Sequence, residues 1–274
     1  MKRVKSEWIK SIAVALLLTL HVGAKAQCTF KNTAFQSGEF LTYNLYYNWK
    51  FVWVKAGNAS MYTVLSRYGG QPAYRCSLTT RGNRKVDDMF VLRDTLLCYD
   101  SERMEPLYFR KGAREGKRYT VDEVFYSYPS DRCHVKQMRQ HSSGKRDWEQ
   151  HTYNNCVYDM MSIYLRARSF NPTGWKKGHN VDFPIVDGRN CTPARLHFDG
   201  KCNVKGDNGH TYRCLRLSYM ELDDGKYKRI VDFYVTNDAN HVPVRLDMYL
   251  KFGSAKAFVV GMRGLRNPVT AQIK

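Results

Sequence analysis

The chain is short of acidic residues and of long apolar runs. Against 44 Lys and Arg it carries 25 Asp and Glu, a formal charge of +19 over 274 residues. The one extended apolar stretch, Ile12 to Leu20, falls well below the roughly 20 residues a helix needs to cross a hydrocarbon core. A multi-span helical membrane protein is thereby excluded. Internal repeats and low-complexity linkers are absent, and so are a Gly-x-Ser-x-Gly elbow and a Gly-rich phosphate loop after a strand-like segment. Nucleotide binding and elbow-type serine hydrolysis therefore have no support. What is present is 43% hydrophobic and 14% aromatic composition, enough to build a sizeable core and incompatible with a disordered chain.

The amino end has the order of a secretory signal: Lys2, Arg3, Lys5 and Lys10, then the apolar run, then Ala24-Lys25-Ala26. Small residues at −3 and −1 place the expected cut after Ala26. Gln27 stands where a lipobox requires a small residue, so lipidation of Cys28 is not the expected outcome. Cleavage would remove five bases and Glu7, lowering the charge from +19 to about +15. Cys28, Cys76, Cys98, Cys133, Cys156, Cys191, Cys202 and Cys214 would all remain. An even count in an exported chain favours disulfides. The turn signal Gly206-Asp207-Asn208-Gly209 would fold Cys202 back toward Cys214, and that pair is the expected bridge.

Period two dominates. Leu41, Tyr43, Leu45 and Tyr47 alternate with other residues, as do Val231, Phe233 and Val235, and Val244, Leu246, Met248 and Leu250. These segments read as antiparallel strands with one buried face. Gly69-Gly70, Asp187-Gly188, Asp199-Gly200 and Asp224-Gly225 read as turns, the last as a hairpin. One segment departs. From Tyr158 to Arg168, Tyr158, Met161 and Leu165 recur at helical spacing, which predicts a helix over about 157–168. Asn154 or Asn155 would cap it, Arg166 and Arg168 would suit its negative end, and Asn171-Pro172 would stop it. The expected fold is mainly β: a strongly curved antiparallel sheet or partly open barrel holding one main helix. Residues 27–274 would form a single β-rich domain, or two β-rich halves joined by the helix.

Catalytic chemistry is sparse. Asp87-Asp88 and Asp223-Asp224 read as bends and turns before acid–base couples. Cys191, His197, Cys202, His210 and Cys214 carry zinc-type donors, yet their spacing matches no familiar finger and export favours oxidised thiols; no metal and no cofactor is expected. Charge is the stronger signal. Arg110, Lys111, Arg114, Lys117 and Arg118 crowd into what reads as a loop, followed by Arg132, Lys136, Arg139, Lys145 and Arg146. Such bases could hold an anionic lipid headgroup or glycan; no nucleic-acid module accompanies them.

The assembled segments resemble the DUF3108 family of exported bacterial proteins, from about Gly38 to Gly264. Gly38-Glu39-Phe40-Leu41-Thr42-Tyr43 is similar to its opening Gly-Glu-x-Leu-x-Tyr strand, and Ala56-Gly57-Asn58-Ala59 to the step that follows. Arg93-Asp94-Thr95 and Glu105-Pro106-Leu107-Tyr108-Phe109 resemble its middle segments. Tyr158-Asp159-Met160-Met161-Ser162 resembles its Asp-x-x-Ser helix. At the carboxyl end the similar segments are Val235-Thr236-Asn237-Asp238, Val242-Pro243-Val244-Arg245 and Lys251-Phe252-Gly253-Ser254-Ala255-Lys256-Ala257. Tyr234-Val235-Thr236-Asn237-Asp238 stands where the family usually has Trp-Leu-Thr-Asp-Asp. The resemblance implies a mostly β protein of the cell envelope and supplies no catalytic residues.

The resulting expectation is a non-enzymatic periplasmic or outer-membrane-associated protein that holds a lipid, lipoprotein or glycan in a groove of its sheet. Tyr43, Tyr47, Phe125, Phe233 and Leu246 are the expected apolar wall. The rival is a hydrolase or carbohydrate-active enzyme whose acids, Asp94, Glu105, Asp159 and Asp238, would converge in a cleft. A structural envelope subunit is a third reading.

Overall fold

The computed structural model describes residues 28–49, 52–84, 91–188, 190–250 and 253–273. The expected signal segment 1–26 and the Asp87-Asp88 pair lie outside them. The alternating segments form β1 (Glu39–Trp49), β2 (Val52–Tyr68), β3 (Gln71–Gly82), β4 (Leu92–Ser101), β5 (Pro106–Glu115), β6 (Arg118–Ser127), β7 (Cys133–Gln140) and β8 (Arg146–Tyr153). The one α-helix among the described residues, α1 (Met160–Ala167), then precedes β9 (Asn180–Asp187), β10 (Asn190–Lys205), β11 (Thr211–Asp223), β12 (Lys226–Thr236), β13 (Pro243–Tyr249) and β14 (Ser254–Arg263). All belong to one antiparallel sheet in the order β8-β7-β6-β5-β4-β3-β2-β1-β14-β13-β12-β11-β10-β9. Pairing of β1 with β14 joins what would otherwise be two halves, and α1 links the two edge strands.

The sheet curls toward a barrel without closing, because β8 and β9 do not pair. Other contacts cross the gap. Tyr158 forms an isolated parallel bridge to Ile185, with its N–H on the Pro184 carbonyl at 3.1 Å and its carbonyl accepting from Val186 at 2.8 Å. Gln137 Nε2 on β7 donates to the Gly188 carbonyl at 2.6 Å. These bonds satisfy backbone groups that an open edge would leave bare.

Glycine marks the sharp turns. Asp224-Gly225 connects β11 to β12 with φ of +48° and +74°, the paired positive values of a tight hairpin. Asp199-Gly200, expected to be a turn, instead lies inside β10. The register slips there between Phe198 and Gly200, and Gly200 has φ +121°. An extra residue taken up by a glycine bends the strand as a bulge does, without ending it.

The helix start also differs from expectation. Asp159, not Asn154 or Asn155, is the cap: its carboxylate accepts from the N–H groups of Met161 and Ser162, both at 2.9 Å. Met161 and Leu165, one turn apart, pack into a cluster with Phe35, Leu41, Phe109 and Val135. Ile163 joins a second cluster with Phe183, Leu196, Leu215 and Val235. One short helix therefore serves both sides of the curled sheet. Burying each such side chain contributes about 1.5–3 kcal/mol. The segment before β1 is tied to the entrance of the helix by the disulfide Cys28–Cys156, which spans 128 residues.

Candidate functional site

Packing α1 against the concave face leaves a cavity of about 470 Å³, within the ~300–1,000 Å³ range of small-molecule sites. Its walls are Tyr43 and Leu45 of β1, Met61 of β2, Leu78 of β3, Leu96 of β4, and Leu215, Phe233 and Leu246 of β11 to β13. Met161, Ile163, Tyr164 and Ala167 of the helix and Trp175 beyond it supply the facing side. The lining is overwhelmingly apolar, because alternate residues of each strand point inward while their neighbours face solvent. Met160 and Asp187, both exposed, also belong to the lining, so the cavity reaches solvent there.

The polar end of the cavity is built around Arg168. Its guanidinium makes a two-point pair with Glu39 at 2.5 and 2.8 Å, and its Nε donates to the Asn240 carbonyl at 3.1 Å. Arg168 and Glu39 are 3% and 1% exposed, so this pair is a desolvated, neutral unit and not the dipole partner the sequence suggested. His241 stands beside it, with Nδ1 2.6 Å from the Arg168 carbonyl. A carbonyl only accepts, so Nδ1 carries the proton and Nε2 is bare in the neutral ring. Burial lowers the pKa of His241, which favours that neutral form. Tyr43 and Tyr164 also lie close to Arg168, with their hydroxyls buried in the wall and not exposed to the cavity.

Asp159 meets a carboxyl that sequence reasoning did not nominate. Ser162 Oγ lies 2.6 Å from Asp100 and 2.8 Å from Asp159, and all three residues are buried. One hydroxyl has one proton, so it serves only one of the two carboxyls as donor. Asp159 also accepts from two backbone N–H groups and from Tyr126 Oη at 3.1 Å, which suits an anion. The remaining contact is then a protonated Asp100 donating to Ser162 Oγ. Burial and the nearby Asp159 charge push Asp100 up to about 8. Neither carboxyl lines the cavity.

The other nominated acids do not converge. Glu105 accepts from Ser101 Oγ at 3.0 Å, and Asp238 organises a turn by accepting from Thr236 Oγ1 and the Asn240 N–H. Asp94 pairs in register with Ala113 on β5. Of the expected apolar wall, Tyr43, Phe233 and Leu246 line the cavity and the other two do not. Phe125 is on the convex face, because Val124 and Tyr126 take the inner positions of β6; it lies between Tyr108 and Trp148 at 5.1 and 6.3 Å. Tyr47 lies further along β1, its hydroxyl 2.8 Å from where a Cβ on Gly253 would stand. The helix contribution and Arg168 were missed because a helical stripe reads equally as core.

The basic segment is a hairpin and not a loop, with only Gly116 and Lys117 in the turn. Arg110 is engaged with the Tyr119 hydroxyl at 3.2 Å and with Glu123, while Lys111 sits opposite Asp122 in register. Arg114, Lys117 and Arg118 are exposed. Cys202 and Cys214 face each other in register, as the turn implied, but both are thiols here, and the expected bridge between them is not formed. Cys76 and Cys98 repeat the arrangement on β3 and β4. His197 contacts Asn180 at 2.7 Å, and His210 lies against Gln272 at 3.2 Å. Among the described residues no helix is long and apolar enough to cross a membrane.

No protein of curated function matches the chain. Among solved structures it is similar to a beta-barrel-like protein of the domain of unknown function DUF1849 from Brucella abortus. The TM-score is 0.55 at 11% identity, over 84% of this chain and 98% of that one; at that identity the likeness concerns the fold. The profile described as a protein of unknown function, DUF3108, matches residues 42–260, which include the strands and helix that enclose the cavity. The chain belongs to the DUF3108 family.

Proposed function

We propose that the protein is a non-enzymatic carrier of the bacterial cell envelope that holds an apolar ligand, a lipid or the acyl portion of a lipoprotein, between its helix and its curved sheet. The observation that carries this reading is the cavity itself, whose walls are apolar over nearly their whole extent and which reaches solvent beside Met160. An apolar void gains little from water and much from a hydrocarbon that fills it. The separation of Asp94, Glu105 and Asp238 from one another's hydrogen-bond networks favours holding over hydrolysis. Export to the periplasm or outer membrane is favoured by the signal-like residues 1–26 and by the Cys28–Cys156 disulfide, since such bonds persist in oxidising compartments.

The uncharged fluorophore N-phenyl-1-naphthylamine tests the cavity. It should brighten on binding the unmodified protein and be displaced by phospholipid extract. Ala59→Phe and Ala257→Phe place rings in the void and should weaken binding by tenfold or more. Equal binding by the filled variants would remove the cavity as the site.

The exposed Arg114, Lys117 and Arg118 on the β5–β6 hairpin then serve as a contact with anionic headgroups, each base contributing about 1 kcal/mol near such a surface. Reversing the three charges should abolish cosedimentation with phosphatidylglycerol vesicles at low salt. Unchanged cosedimentation would assign the hairpin no such role.

A further inference from the structure

Two cysteines stand side by side next to the cavity wall. Cys76 on β3 and Cys98 on β4 are directly opposed in antiparallel register, and both are buried. Opposed residues of such a pair have Cα atoms about 4.5–5.5 Å apart and side chains on one face. A disulfide spans about 4.4–6.8 Å between Cα atoms, so the backbone already holds the two residues at bridging distance. Their sulfurs are within hydrogen-bond reach of each other, and Cys76 Sγ accepts from Thr63 Oγ1 at 3.3 Å. In this structure both are thiols. Two residues along on the same face, Leu78 opposes Leu96, and both line the cavity. Two residues the other way, Tyr74 opposes Asp100.

What separates a bridge from two inert thiols is whether an oxidant meets them before they are covered. The cover comes later in the chain: Met161 and Leu165 of α1 share the cysteines' hydrophobic cluster, whereas β3 and β4 are neighbours in sequence. The amino end of a chain is free to fold first, so a β3–β4 hairpin presents both thiols while α1 is still absent. After packing, burial and the contact with Cys76 raise the Cys98 pKa, and little thiolate remains to react. Resting on the export reading, we infer that Cys76 and Cys98 form a second disulfide in the exported protein, which pins β3 to β4 between the cavity wall and the Asp100 cluster. The two thiols give up two protons and two electrons as the S–S bond forms; a disulfide oxidant takes them up and breaks into two thiols. Both sulfurs are buried, so a reductant that opens Cys28–Cys156 through the half-buried Cys156 does not reach this bridge in the folded protein.

Peptide mapping of the full chain, expressed with its own amino-terminal segment in a Gram-negative host, tests this without any variant having to fold. Cells are quenched in acid, and the protein is unfolded in N-ethylmaleimide and digested with trypsin in the absence of reductant. The peptide Cys76–Arg81 should be recovered linked to Asp94–Arg103, and each should appear as a separate peptide only after reduction. Dithiothreitol added to the folded protein before the quench should free Cys28 and Cys156 and leave this link in place. Alkylated Cys76 and Cys98 beside an intact Cys28–Cys156 link would overturn the inference and leave the export reading standing, as would Cys76 linked to any cysteine but Cys98. Alkylation of all four cysteines in the untreated protein would remove both.

Discussion

Asp100 and Asp159 share the one Ser162 hydroxyl proton, so if both carboxyls ionised one of them would lose its donor, and this makes stability depend on pH. The Asp100 pKa is raised to about 8, against about 3.9 for an unfolded Asp. Between those values the native state holds a proton that the unfolded chain has released, so stability falls as pH rises. The contribution is complete below about pH 4 and is lost through pH 8. Urea denaturation at pH 6 and pH 9 should show a loss on the order of 2 kcal/mol from this residue, and Asp100→Asn, which keeps a donor toward Ser162, should lack it. Equal slopes in the two proteins would place the proton elsewhere. At the other buried pair, Glu39→Gln strands the Arg168 charge and should cost about 3–5 kcal/mol by the same assay. Replacing both Glu39 and Arg168 with Met should cost less than the single change, because no charge is left without its partner.

At the scale of elements, α1 is short for an independent helix and depends on its cap and its neighbours. Cys28–Cys156 ties its entrance to the chain before β1. Cys28→Ser should lower stability by about 2–5 kcal/mol, and added reductant should lower the melting temperature of the unmodified protein but not of the variant. The strands were legible because alternation survives wherever one face is wet, as along Leu41, Tyr43 and Leu45. Asp224-Gly225 was legible because both positions demand positive φ. Gly200 misled because the same residue serves a bulge and a turn. The cap was misplaced by several residues: Asn154 and Asn155 are good caps in isolation, but Tyr158 is first drawn into the bridge with Ile185. The Cys28–Cys156 pairing had no local signal, since it depends on where α1 docks.

Across the whole molecule, a sheet with consecutive strands side by side curls until its edges meet side chains and a two-residue bridge instead of a ladder. A closed barrel of this kind would need its own side chains to fill the middle; here α1 enters and fills it only in part. Three of the five expected wall residues reached the cavity because inward alternation is local, whereas Phe125 shows that choosing the face requires knowing the curvature. The central claim is that the remaining space belongs to an acyl chain. Native mass spectrometry of the protein purified from cells without denaturant tests this most directly. The account predicts a mass above that of the chain by a bound lipid, absent from Ala257→Phe. A bare chain in the unmodified protein, still bare after incubation with envelope lipid extract, would contradict it.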